Sequence, residues 1–286
     1  MTSLFDKDQI LRNRQRAFRI ADPGAGFLLD IVAKELAERL SVVERRFEMA
    51  AEMNGMDGRV ARSCVETGRI EQMDQAEISA HGSETAADFD HLGLAEQKYN
   101  LILAPLWLQL ANDLPGALIQ IRRALKPDGL FLAALAGAGT LGELRDVLLA
   151  TEAEMSGGAS PRVIPFADVR DMGSLLQRAG FSLPVVDVED YTVRYDNLFG
   201  LMRDLRAMGM TNPMLDRSRI PLTRRFFMRA AELYAERFSD PDGRIRASFS
   251  IIYVSGWSPH ESQAKPLKPG SAKIRLADAL KNVLPS

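Results

Sequence analysis

The chain has 286 residues, with 36 Lys and Arg against 38 Asp and Glu and a formal net charge of −2. That balance lacks the basic excess of a dedicated nucleic-acid binder, and 46% hydrophobic with 26% charged residues fits an ordinary globular protein of one large domain or two small ones. A lone cysteine, Cys64, excludes an internal disulfide framework, and the scattered His81, His91 and His260 have no metal-ligand spacing, so no metal is expected.

The start, MTSLFDKDQILRNRQRAF, has neither the apolar centre of a signal peptide nor, with two early aspartates, the character of a transit peptide, and no apolar run reaches the roughly 18 residues of a membrane span. A cytoplasmic location is expected. Arg12, Arg14, Arg16 and Arg19 dot a polar stretch, Asp22-Pro23-Gly24 breaks it, and Leu28, Val32, Leu36 and Leu40 then recur at helical spacing. Residues 1–41 therefore read as two N-terminal helices, the arginines forming a solvated face to which no site is assigned.

From residue 47 short apolar segments alternate with amphipathic ones, the pattern of βαβ units and a mainly parallel sheet. YNLILA at 99–104 is a compact strand, and Leu114, Leu118, Ile121 and Leu125 mark a helix stopped by Lys126-Pro127-Asp128-Gly129, where proline cannot continue it and Asp-Gly suits a turn. Residues 130–135 form a buried strand, Leu141, Leu144, Leu148 and Met155 a helix ending near Gly157-Gly158, and 169–179 another helix. A long strand follows at 183–195, and its apolar phase moves from Val186 and Val188 to Tyr191, Val193 and Tyr195, which predicts a midway bulge. Two more helices, carrying Leu198 to Met208 and Phe226 to Tyr234, precede a last strand at 248–257. The organisation is thus N-terminal helices at 1–41, an α/β core at 42–197 and 245–258, a helical insertion or lid at 198–244, and a polar tail at 259–286.

Chemistry concentrates at strand ends. Residues 47–61 read FEMAAEMNGMDGRVA: Glu52 closes a strand, Gly55 and Gly58 punctuate a loop, and a helix starts at Arg59. Glycine allows close backbone approach to a ligand, and a helix N-terminus supplies free N–H donors. Asp74, about 20 residues on, stands where such folds grip ribose hydroxyls, and Asp88 at the end of a third strand can accept from an exocyclic amine. Any one of these acids alone reads equally as a strand-end or capping residue; their order carries the signal. Trp107, Gln109, Asn112 and Asp113 follow the next strand, with Asn112 or Asp113 suited to cap a helix at Leu114-Pro115 and Trp107 suited to a core. His260 with Glu261 could form an acid–base pair, but a lone histidine in a proline-bearing tail fits a bystander better.

The order of acidic strand end, glycine loop, Asp74, Asp88 and the LKPDG turn at 125–129 resembles the class I S-adenosylmethionine-dependent methyltransferases. More narrowly, LFDKDQILRNRQRA (4–17), NDLPGALIQIRRALKPDGLF (112–131), TLGELR (140–145), SPRVIPFADVRDMGSLLQRAGF (160–181), LMRDLRAMGMTN (201–212) and GWSPHESQAKPLKPGSA (256–272) resemble bacterial relatives of complex I assembly factor 5, a methyltransferase-like arginine hydroxylase family. The resemblance implies a Rossmann-like α/β fold with about seven strands, S-adenosylmethionine as cofactor, and a subunit of the respiratory NADH dehydrogenase as protein partner. It assigns Glu52, Gly55, Gly58, Asp74 and Asp88 to the cofactor and places Trp107 and Gln109 on the reaction side.

Departures from the family pattern carry expectations of their own. Relatives read Asp-Leu-Gly-Cys-Gly-x-Gly where this chain has Glu52-Met53-Asn54-Gly55-Met56-Asp57-Gly58. Asn54 must adopt a glycine's backbone angles, Met56 fills space, and Asp57 repels a cofactor carboxylate unless a cation intervenes, which together predict weakened cofactor affinity. Gln109 and Leu110 replace a histidine and tryptophan, removing a group that titrates near neutrality, and Gly139 replaces an aspartate. A decayed methyltransferase scaffold acting as an assembly chaperone is the alternative reading, and a small-molecule methyltransferase with a greasy lid at 198–244 is a third.

Overall fold

The computed structural model describes residues 3–76, 89–158 and 160–263. Asp6 accepts a hydrogen bond from the Gln9 amide at 3.0 Å and so caps α1 (Lys7–Ile20), which ends where Ala21 turns left-handed. A 3-10 turn (Pro23–Gly26) leads into α2 (Phe27–Ser41), which buries Leu28, Val32, Leu36 and Leu40 as their spacing requires.

The elements β1 (Phe47–Met53), α3 (Arg59–Glu66), β2 (Ile70–Ala76), β3 (Tyr99–Pro105), α4 (Leu114–Ala124), β4 (Leu125–Ala136), α5 (Gly142–Ser156) and α6 (Val169–Arg178) follow in order. Then come β5 (Ser182–Tyr195), α7 (Leu198–Ala207), α8 (Arg224–Phe238) and β6 (Ile245–Trp257). Among the described residues the sheet has six strands in the order β2-β1-β3-β4-β6-β5, parallel from β1 to β4, with β6 antiparallel to both of its neighbours. The α/β expectation holds. About seven strands were expected; the segment ending at Asp88, read as one of them, lies outside the described residues.

Alternate residues of β3 and β4 serve opposite faces, as a strand's period of two demands. Ile102, Ala104, Phe131 and Leu135 pack under α4 and α6, while Leu101, Leu103, Leu130 and Leu132 pack under α2 and α3. A further cluster joins α5, α7 and α8 to β5 and β6 through Leu144, Leu201, Tyr234 and Phe249.

Two local expectations need correction. The LKPDG segment is no terminal turn: α4 stops at Ala124, and β4 already pairs at Leu125 before bulging, its register jumping from Tyr99↔Leu125 to Leu101↔Leu130. Pro127 has no N–H for the ladder and Asp128 sits at φ 63°, so the segment bulges away from β3, while the Asp128 amide donates to the Ser258 carbonyl just past β6 at 3.1 Å. Nor is β5 bulged midway, because its pairing with β6 runs without a slip from Val185↔Ser255 to Tyr195↔Ile245. The irregularity lies between Ser182 and Val185, where Leu183 takes φ 51°. The apolar phase shifts because the covering elements change sides: Val186 packs with Met172 and Leu176 of α6, whereas Tyr191 and Val193 pack with α7 and α8 on the other face.

The order in which strands are added reverses between β1 and β3, which are parallel, since β2 lies outside β1 and β4 outside β3. The carboxyl ends of β1 and β3 therefore splay apart into the crevice where open α/β sheets take ligands.

Candidate functional site

A cavity of about 640 Å³ lies at these strand ends, touched by Asn54 after β1, Pro105 closing β3 and Ala136 closing β4. Its size suits a small-molecule ligand or cofactor. The far wall is helical: Ile10, Arg14 and Phe18 of α1, Met202 and Leu205 of α7, and residues 208–213 beyond α7.

The β1–α3 loop forms its floor. Glu52 is buried, and its carboxylate accepts from the Ala61 amide at 3.1 Å and from Gln75 Nε2 at 3.4 Å, tying β1 to α3 beneath the loop. Gly55 is glycine because a Cβ would stand 2.2 Å from the Glu52 carboxyl carbon; Gly58, at φ 70°, would drive one to 2.5 Å from Gln75 Nε2. Both glycines and Glu52 thus lie behind the wall, which Asn54, Met56 and Asp57 form. Asn54 takes the left-handed φ of 54°, which asparagine tolerates best after glycine, and its carbonyl accepts from Arg14 Nη2 at 3.1 Å. Neither Asn54 nor Met56 closes the space. Burial first, and the Glu52 charge second, push the neighbouring Cys64 thiol up to about 12.

The cation that Asp57 requires is Arg59, two residues on. Its Nε lies 2.9 Å and its Nη2 2.6 Å from Asp57 Oδ2, and its Nη1 donates to Asp30 Oδ1 at 2.6 Å and to the Gly26 carbonyl at 3.1 Å. Burial alone would raise the Asp57 carboxyl, but hydrogen bonds and charge from Arg59 outweigh it and hold the group below the usual carboxylate range.

Asp74 stands two residues before the end of β2 and pairs with Lys98 Nζ at 2.7 Å, with the Tyr99 hydroxyl at 3.5 Å, apart from the cavity wall. Asp88 lies outside the described residues. Trp107 and Gln109 do come together in the wall, in the loop that follows β3. Gln109 Nε2 donates to the Leu106 carbonyl at 2.8 Å, while Trp107 Nε1 and Gln109 Oε1 are buried with no hydrogen-bond partner among the described residues. Asp113 is the helix cap, accepting from the Gly116 amide at 2.9 Å. Asn112 instead pins the N-terminus, its Oδ1 accepting from the Leu4 and Phe5 amides at 2.7 and 2.8 Å. His260 engages Ser262 at 2.7 Å in the tail and does not line the cavity.

The periodicity reading missed the site's helical side. Asn13 of α1 donates through Nδ2 to the Thr211 carbonyl at 2.6 Å, Arg16 Nη2 donates to Thr211 Oγ1 at 2.6 Å, and Asn212 Nδ2 donates to the Pro161 carbonyl at 2.8 Å. Arg162, in the cavity wall, pairs with the largely buried Glu152 at 2.7 Å. These contacts join RNRQRA, SPRVIPF and AMGMTN, so three segments quoted for the family resemblance meet around one cavity. That resemblance was the signal available for them; charge patterning read the arginines as solvated.

The family model of the methyltransferase domain matches residues 24–133. Arginine-hydroxylase NDUFAF5, mitochondrial, of Danio rerio is 36% identical over 98% of this chain and 90% of its own length, and the Homo sapiens protein of that name is 36% identical over 99% and 86%. The chain belongs to the NDUFAF5 family. A malonyl-[acyl-carrier protein] O-methyltransferase of Methylovorus sp. (strain MP688) is 37% identical over 63% of this chain and 58% of its own length. Among solved structures, the YcgJ protein of Bacillus subtilis superposes with a TM-score of 0.52 at 12% identity, over 79% of this chain and 98% of that one, a likeness of fold. This NDUFAF5-family chain is thus a class I methyltransferase-fold protein of an enzyme family. Among its described residues no three His, Cys, Asp or Glu side chains group to hold a metal ion, and no helix is long and apolar enough to cross a membrane.

Proposed function

We propose that this chain binds S-adenosylmethionine in the cavity and modifies an arginine-bearing subunit of the respiratory NADH dehydrogenase as that complex is assembled, in the cytoplasm. One observation carries the reading: the crevice at the β1 and β3 ends is open to a volume of about 640 Å³ although Asn54, Met56 and Asp57 replace the usual glycine-loop residues. An orphaned donor on Trp107 and an orphaned acceptor on Gln109 also suit a ligand, since buried polar groups are ordinarily satisfied.

When bound, S-adenosylmethionine supplies a methyl group already activated on sulfur. The chain's own work is then alignment and exclusion of water, which need few titrating groups. Glu52, Gly55 and Gly58 shape the loop that faces the cofactor, and Asp74 and Asp88 are its hydroxyl and amine acceptors. Trp107 and Gln109 border the acceptor side, and the insertion at 198–244 together with α1 forms the lid. Titration calorimetry with S-adenosylmethionine tests the first half: heat of binding is expected, and none at millimolar cofactor with folded protein would refute it. Mass spectrometry of the co-expressed partner tests the second, where an added methylene marks methylation and an added oxygen the hydroxylation named in the relatives, which takes an external two-electron oxidant besides S-adenosylmethionine.

A second reading, an assembly chaperone without catalysis, is favoured by Asp57, whose carboxylate already occupies the start of α3 and accepts the Arg59 N–H at 3.1 Å. On that reading deletion of residues 258–286 abolishes partner binding and Asp74→Ala leaves it intact, while the partner's mass never changes.

A further inference from the structure

A helix N-terminus offers open N–H groups and favours an anion, and α3 begins at the cavity wall. In this chain an internal group takes that seat, because Asp57 Oδ1 accepts from the Arg59 amide. A fixed carboxylate there repels a second one, such as the acid end of an adenosyl amino acid. The Arg59 guanidinium answers that charge from the same wall. It grips Asp57 by two nitrogens and crosses to Asp30 Oδ1 and the Gly26 carbonyl, joining the loop to the turn before α2. Room for it exists only because residue 26 is glycine: a Cβ would lie 2.3 Å from Arg59 Nη1. Gly26, Asp57 and Arg59 all face the cavity. Asp57, Arg59, Asp30 and Gly26 therefore act as one unit, in which the Arg59 cation is shared between Asp57 and Asp30, and Arg62, whose Nη1 donates to the Asp57 carbonyl at 2.9 Å, adds a second positive charge beside Asp57.

We propose that Arg59 is the positioning residue through which this altered loop accepts the carboxylate of an adenosyl amino acid, by neutralising the Asp57 charge at the start of α3. The inference rests on the cofactor reading above, and its test separates the two. Full-length protein is titrated calorimetrically with S-adenosylhomocysteine, which carries the amino-acid arm, and with methylthioadenosine, which lacks it. Arg59→Met is expected to weaken S-adenosylhomocysteine about tenfold and to leave methylthioadenosine within about twofold, because only the former has a carboxylate to repel. Adding Asp57→Asn to that variant is expected to return S-adenosylhomocysteine to within about threefold of the parent, a rescue that damage to the fold would not show. Should Arg59→Met not fold, Asp57→Asn alone decides: affinity for S-adenosylhomocysteine raised above the parent's, with methylthioadenosine unchanged, supports the inference, and an unchanged or lower affinity overturns it. Equal loss of both ligands in Arg59→Met, no loss of either, or a double variant as weak as the single one overturns the inference and leaves the cofactor reading standing. Parent protein that binds neither ligand removes the cofactor reading itself, and the inference with it.

Discussion

Replacing Asn13 by alanine should loosen the hold of α1 on the cavity rim. The side chain is 1% exposed; its Nδ2 donates to the Thr211 carbonyl at 2.6 Å, and its Oδ1 accepts from Gln9 Nε2 at 2.9 Å and Arg16 Nη2 at 2.8 Å. A neutral hydrogen bond contributes about 1 kcal/mol net and one to a charged group about 1.5–3 kcal/mol. Gln9 and Arg16 regain water once released, so the lower values apply and the loss comes to about 3 kcal/mol. At roughly 2–4 °C per kcal/mol for chains of this size, the thermal midpoint should fall by about 6–12 °C. Urea unfolding followed by tryptophan fluorescence measures the free-energy loss and a thermal melt the midpoint, with Trp107 in the cavity wall as one of two reporters. Asn13→Asp keeps the acceptor toward Arg16 and loses the donor toward Thr211, so it should cost about half as much. Amide exchange over α1 should rise in both variants. A loss below about 1 kcal/mol in Asn13→Ala, with α1 exchange unchanged, would show that some other contact closes this wall.

Gly26→Ala should expel the Arg59 guanidinium from the Gly26 carbonyl, since the new Cβ meets Nη1 at 2.3 Å, and a cost of about 1 kcal/mol, that of the lost hydrogen bond, is expected in denaturant unfolding. The Cys64 thiol, pushed up to about 12, should stay unreactive toward a disulfide reagent at pH 8 and react only after denaturant is added; rapid native-state labelling would contradict its burial. The Arg162 hydrogen bond, larger than the opposing effect of burial, holds the Glu152 carboxyl below its ordinary value of 4.5. A depressed folded value means that the pair's stabilisation is complete above that ordinary value and is lost as pH falls through the folded one. Glu152→Gln should therefore melt below the parent at pH 7, and the gap should close in melts recorded at progressively lower pH beneath about 4.5.

Much of the scaffold was legible because each element carries its own local pattern. The four-residue recurrence of Leu28, Val32, Leu36 and Leu40 sets a buried helix face wherever α2 is put, and the continuous apolar run before Ala136 belongs to a strand covered on both sides. Asp113 caps α4 through a contact only three residues long, so the sequence near Leu114-Pro115 already contains it. The phase change in β5 does not mark a backbone slip, because side-chain burial is not a property of the backbone alone. It equally reflects which side α6, α7 and α8 cover, and no periodicity within β5 records that.

By itself, then, the sequence determined the alternation of strands and helices, their inward faces, the family, and the loop from Glu52 to Gly58 as the place to look. Only the tertiary structure decided that α1 closes the site, through a bond between Asn13 and Thr211, 198 positions apart. It also decided that Asp57 faces the cavity already paired with Arg59, that Glu52 holds the Ala61 amide beneath the loop, and that Asp74 pairs with Lys98. The difference is physical: periodicity and capping come from neighbours along the chain, whereas a charge's partner and a cavity's wall come from whichever distant segment the packed sheet brings near, and nothing in the local residue order encodes that distance.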